Sequence, residues 1–155
     1  MERQQEIFDR FPKFFVQKDL PMTQTAMCWG ISCGDGWFDI IYQACEEIEA
    51  YLQEQENKGI RVMSISDWHN IKTNEGVDES AILYYPEFTQ IKEKFGSLRM
   101  YYVGGDDVID KILEKAETLS ETTCESCGSD QGKVQGKGWI RILCDSCEEN
   151  RFKNN

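Results

Sequence analysis

The feature that most constrains this chain is a pair of cysteine knuckles near its C-terminus. Cys124-Glu125-Ser126-Cys127-Gly128 is followed, after sixteen residues between the pairs, by Cys144-Asp145-Ser146-Cys147. That spacing is the one expected of a zinc ribbon. Two residues between cysteines let both thiolates face one ion across a tight turn, and Gly128 can take the positive φ such a knuckle needs. Four soft thiolates in a tetrahedron suit a structural zinc and leave no position open for water. The segment from Gly132 to Leu143 reads as a hairpin turning at Gly136-Lys137-Gly138, with Trp139, Ile142 and Leu143 placed to cover the site. A module of roughly 30 residues buries too little surface to hold itself together, so the metal would stabilise it. A redox Cys-x-x-Cys needs only one pair, and iron–sulfur ligation, which uses other spacings, stays open as an alternative.

The chain has 155 residues and seven cysteines, so zinc would leave Cys28, Cys33 and Cys45 as thiols. A disulfide framework needs an oxidising compartment, whereas the start Met1-Glu2-Arg3-Gln4-Gln5 has no secretory character. No apolar run approaches the ~20 residues of a membrane span. The expectation is a cytoplasmic protein with no membrane partner. Hydrophobic residues make up 40% of the chain, enough for a packed core.

Apolar spacing predicts an α+β fold: a small antiparallel sheet with two amphipathic helices over residues 1–120, followed by the ribbon over 121–155. Residues 2 to 16 carry Ile7, Phe8, Phe11, Phe14 and Phe15, a short helix broken near Pro12. One long helix follows Gly34-Asp35-Gly36, with Trp37, Ile40, Ile41, Ala44, Cys45, Ile48, Tyr51 and Leu52 on one face. Asp35 is placed to cap it and Gly59 to end it. Arg61 to Ile65 and Ala81 to Tyr85 read as strands, with Asp67 to Glu79 a long polar loop between them. Phe88 to Lys94 and Ser97 to Val103 form a hairpin turning at Phe95-Gly96. A second helix starts at Asp106 or Asp107, with Ile109, Ile112, Leu113, Ala116 and Leu119 inward.

Net charge is -11, and it is uneven. From residue 121 onward 5 Lys/Arg stand against 6 Asp/Glu, so the first 120 residues carry 12 against 22. Such a surface disfavours nucleic acid as a partner, except through the ribbon's Lys133, Lys137 and Arg141. His69 is the only histidine and has no nucleophile motif around it, so a catalytic set cannot be assembled. Cys28 and Cys33 with His69 match no metal-ligand spacing. The aromatics offer a ligand pocket, with Trp37, Tyr101 and Trp139 to stack on a base and Arg99 to meet a phosphate.

Three strings, Cys33-Gly34-Asp35-Gly36-Trp37-Phe38-Asp39-Ile40-Ile41, Ile91-Lys92-Glu93-Lys94-Phe95-Gly96-Ser97-Leu98-Arg99-Met100-Tyr101-Tyr102 and Gly138-Trp139-Ile140, resemble a family of small uncharacterised proteins of tailed bacteriophages and prophages. The resemblance spans about residues 33 to 147 and leaves the first 30 residues outside. It implies a phage accessory protein working in a bacterial cytoplasm, and carries no activity or catalytic residues. The resulting expectation is a non-enzymatic protein that binds a host protein and so counters an antiviral defence. Alternatives are a sponge for a nucleotide-like signalling ligand and a nucleic-acid binder acting through the ribbon.

Overall fold

The structure, a computed structural model, describes residues 2–71, 76 and 78–151. In chain order its elements are α1 (Glu2–Arg10), β1 (Ile31–Ser32), α2 (Phe38–Asn57), β2 (Arg61–Met63), α3 (Ile65–Ile71), β3 (Ile82–Tyr84), β4 (Glu87–Lys94), β5 (Ser97–Val103), α4 (Asp107–Ser120), β6 (Lys133–Gln135), β7 (Arg141–Leu143) and α5 (Asp145–Arg151). This is an α+β fold with α2 and α4 as its two long amphipathic helices.

Both helices end where local chemistry says they should. Gly59, at φ 87°, takes the left-handed conformation, and the Ile60 N–H reaches back to the Gln55 carbonyl, a Schellman closure of α2. Asp106 caps α4 by accepting from the Ile109 N–H. The start of α2 differs from expectation. Asp35 makes no capping bond, and a 3-10 turn over Asp35–Trp37 leads into the helix instead. Its free N–H groups are met from outside: Gly34 N–H donates to Glu125 Oε2 and Gly36 N–H to the Glu125 carbonyl. A ribbon residue therefore does the capping.

The central sheet has the order β1-β4-β5. Its β4–β5 hairpin is antiparallel, as expected, and β1 adds a parallel strand with Ile31 opposite Ile91. Phe95 (φ 53°) and Gly96 (φ 82°) form the tip, both left-handed, as a two-residue primed turn requires. β2 and β3 pair in parallel through the crossover that contains α3. The stretch from Asp67 to Glu79, expected as a loop, is in part helical. α3 covers Ile65–Ile71, started by Ser64, whose hydroxyl accepts from the Asp67 N–H; residues 72–75 and 77 lie outside the described residues.

The core sits between α2, α4 and the inward face of the sheet, where Phe88, Ile91, Leu98 and Met100 meet Ile41, Ile48, Ile109 and Leu113. The N-terminal segment closes it: Phe8, Phe11, Phe14 and Phe15 are all buried, with the Phe15 ring 5.0 Å from Phe88. The edge strand β5 is not left bare. Ser120 Oγ accepts from the Leu98 N–H and Glu117 Oε1 from the Met100 N–H, so α4 satisfies the edge that another strand could otherwise join.

Candidate metal centre

Cys124 and Cys127 sit on the first knuckle, Cys144 directly before α5 and Cys147 on it. Their Sγ atoms all lie within 4.8 Å of one another, and Cys127 Sγ is 3.8 Å from Cys144 Sγ. That separation is far beyond a disulfide bond, and all seven cysteines are free thiols. The knuckle turn is closed by the Gly128 N–H donating to the Cys124 carbonyl, with Gly128 at φ 83°. Cys124 and Cys144 are buried against Leu143, Cys147 is half-buried and Cys127 is exposed.

The electrostatics are those of thiols that need a cation. Burial raises the Cys124 thiol, but N–H donors from Cys127, Cys144 and Ser126 outweigh it and hold it down at about 6. Cys147 is pushed up to about 12 by burial and by the neighbouring Cys144 and Cys124 sulfurs. Crowded thiolates repel, and a cation placed between them removes that repulsion. The cluster can hold a metal ion. Among the described residues it is the one such group of cysteine, histidine or carboxylate ligands, and Cys28, Cys33 and His69 do not form a second. Cys33 and Cys45 are thiols pushed upward by burial, as inert packing groups should be.

The ribbon is not a free appendage. Trp37 is 0% exposed and its indole N–H donates to the Thr123 carbonyl. Glu125, 4% exposed, pairs with Arg141 while holding Gly34 and Gly36. Ile142 belongs to the main core, and Ile140 lies against Gly96, where an added Cβ would be 3.0 Å from its Cγ2.

The residues expected to bind a ligand are dispersed. Trp37 has no exposed surface, because the Thr123 bond and the packing of the ribbon take it into the interior, so it cannot line a pocket. Trp139 does not cover the metal site: it is 70% exposed, with the Arg151 guanidinium 5.4 Å above its ring. Leu143 does the covering, while Ile142 turns into the main core. Arg99 and Tyr101 lie on the outward face of β5, half-buried and exposed respectively. An aromatic cleft of 280 Å³ does exist, but it is built from Phe11, Phe14, Leu52, Val62 and Tyr85 near the end of α2, with Arg10 at its rim already paired to Glu49. In the ribbon's basic set Lys133 pairs with Asp145 and Arg141 with Glu125. Sequence reasoning missed Glu125. The one signal for it was a carboxylate inside a cysteine knuckle, where it would sit beside anionic sulfurs unless turned away from them.

Searches of protein-family models, of curated proteins and of solved structures each find no match to this chain.

Proposed function

We propose that the chain is a non-enzymatic binding protein in which a structural zinc fixes the ribbon against the β4–β5 hairpin and so presents one rigid end to a partner. Zinc is favoured by an all-sulfur donor set: with Zn–S bonds of about 2.3 Å a tetrahedron has edges of about 3.8 Å, the Cys127–Cys144 separation. Four thiolates close the coordination shell, which makes the ion a staple and not a Lewis acid.

The observation that carries the binding role is Phe95. It is 81% exposed and holds φ 53°, a conformation in which bulky side chains are rare. Asn would suit the turn better, so the aromatic is kept at a local cost, with only the Lys94 ammonium 5.8 Å over its ring in return. Trp139, 70% exposed, flanks the same Gly96–Ile140 contact from the ribbon side. Exposed aromatics on a fixed scaffold are typical anchors of a binding surface. The resemblance to phage proteins makes a host component the natural partner, and a counter-defence role its natural consequence.

The test is capture from bacterial lysate with the tagged, zinc-loaded full chain, run beside Phe95→Asn and Trp139→Ala. A component held by the wild type and released by both variants, at unchanged zinc content, is the expected result. Capture that ignores both substitutions would remove this end of the molecule from the function.

A further inference from the structure

We infer that the outward face of the β4–β5 hairpin, with Lys92, Lys94, Arg99, Tyr101 and Phe95, is a binding platform for single-stranded nucleic acid. This rests on the binding-protein reading above and names the chemistry of the partner.

The face follows from register. Ile91, Leu98 and Met100 point into the core, so alternation sends Lys92, Lys94, Arg99 and Tyr101 to the other side. The irregularity between Phe88 and Gln90 keeps Phe88 inward and turns Gln90 outward. Lys92 lies directly opposite Arg99 across the ladder, Gln90 opposite Tyr101, and Lys94 opposite Ser97. On its other side Lys92 neighbours Ser32 of β1. From Gln90 to Lys94 the row therefore holds three cations and no carboxylate, and Glu87, opposite Val103 at the far end, is buried.

Like charges placed directly opposite one another in a ladder are unfavourable, and this chain has 28 Asp and Glu residues with which to neutralise them. It does not. Among the described residues, no ion pair includes Lys92, Lys94 or Arg99. Arg99 Nε is also the one buried side-chain nitrogen or oxygen left without a hydrogen-bond partner there. An open trough of 440 Å³ runs along the same face, lined by Thr25, Thr89, Gln90, Lys92, Lys94 and Tyr101. Unneutralised cations beside exposed aromatics are the two parts of a single-strand site: charge for the phosphates, ring faces for the bases.

The net charge of -11 argued against nucleic acid only while its distribution was unknown. The exposed acids Glu46, Glu47, Glu54, Asp107, Asp110 and Glu114 sit on α2 and α4, which pack on the inward side of the sheet. A helix is about 10–12 Å across, so those carboxylates stand well over one Debye length, about 8 Å at physiological salt, from the outward face. Their repulsion is screened there, while the three cations act at close range.

The experiment measures fluorescence anisotropy of a labelled oligouridine with zinc-loaded full-length protein, against a duplex of equal length and a labelled glutamate-rich peptide. Binding to the single strand in preference to both is expected. The double variant Lys92→Ala/Arg99→Gln should flatten the slope of log affinity against log salt by about 1.4, at about 0.7 for each phosphate the protein no longer neutralises. Phe95→Asn should weaken binding at least about fivefold with little change in that slope, while its melting temperature stays at or above the wild-type value. No binding to the oligonucleotide at low salt, equal binding to the duplex, or tighter binding to the acidic peptide would each overturn the inference. If the lysate experiment still yields a Phe95-dependent partner in that case, the binding-protein reading stands; if both fail, both readings fall.

Discussion

Gly36→Ala tests how the ribbon is joined to the rest of the molecule. A Cβ added at Gly36 would lie 2.2 Å from the Cys124 carbonyl oxygen, 2.6 Å from Gly128 N and 2.7 Å from Glu125 C, all backbone atoms of the first knuckle. No rotamer change relieves that clash, so the knuckle must move off α2. Three hydrogen bonds cross this gap: Gly36 N–H to the Glu125 carbonyl at 2.8 Å, Gly34 N–H to Glu125 Oε2 at 2.9 Å, and Trp37 Nε1–H to the Thr123 carbonyl at 2.8 Å. At about 1 kcal/mol for each neutral bond and about 1.5–3 for the one to a carboxylate, opening the gap costs about 3.5–5 kcal/mol. Alanine's better helix propensity returns at most about 1 kcal/mol, so the net effect is destabilising. For a chain of this size the expected drop in melting temperature is about 5–16 °C, at about 2–4 °C per kcal/mol. Gly138→Ala is the control, because nothing lies within 4 Å of its Cβ position; it should stay within about 0.5 kcal/mol of wild type. Thermal melts of the zinc-loaded proteins, paired with the rate at which a chelator takes the metal, give both readouts. Gly36→Ala should melt lower and release metal faster. If it matched Gly138→Ala in both, the close docking of knuckle on helix would be wrong.

Stripping the metal should disorder the ribbon and remove the Trp37 indole bond, shifting the tryptophan fluorescence, while α2 and α4 keep their far-ultraviolet helical signal with a lowered melting point; an unchanged spectrum after chelation would mean the four thiols are not held by an ion. Ser120→Ala leaves the buried Leu98 N–H without an acceptor, and chemical denaturation should register a destabilisation of about 1–3 kcal/mol. Tyr51, hydrogen-bonded to Asp106 at 2.5 Å, is pushed up to about 12, first by burial and then by that bond. Because its folded value lies above its unfolded one, the stabilisation is complete below pH about 10 and disappears as pH rises toward 12. Tyrosinate absorbance followed against Tyr51→Phe should therefore show one late-titrating phenol, and an ordinary titration would contradict the bond.

Much of this architecture was legible because its determinants are local. The cysteine spacing, the three-and-four periodicity of α2 and α4, and the Phe95-Gly96 turn each lie within a few residues of sequence. What was not legible depends on residues far apart in the chain. β1 is two residues long, too short to show alternation, and exists because Ile31 finds Ile91. The parallel pairing of β2 with β3 depends on the crossover between them and leaves no mark in either strand. α3 did carry a sign, Ser64 with Asp67 three residues on, the arrangement of a capping box. Asp35 failed as a cap because the chain enters α2 through a 3-10 turn, in which the Trp37 N–H already donates to the Gly34 carbonyl and Glu125, ninety residues away, takes the Gly36 N–H. The outward cations of the hairpin were readable by period once the register was known, but net charge concealed them.

The ribbon meets the main domain at two separate places, and their positions decide what a metal is for. One joins Glu125 and Thr123 to Gly34, Gly36 and Trp37; the other sets Ile140 against Gly96. The two anchoring segments are joined through the β6–β7 hairpin and pinned together by the cysteines beside them. Without the ion, each anchor is a few weak interactions on a mobile loop, and the ordering entropy of some 20 residues, about 1 kcal/mol or more apiece, would oppose them. With it, the knuckles become one rigid body and both anchors form together. The consequence falls on position more than on stability: Trp139, one residue from Ile140, is then held at a constant offset from Phe95 and from the cation row beyond it. A structural metal far from any reacting group can in this way govern the position of a surface, and under the proposed binding role loss of the ion should reduce affinity even under conditions where the helical domain remains folded.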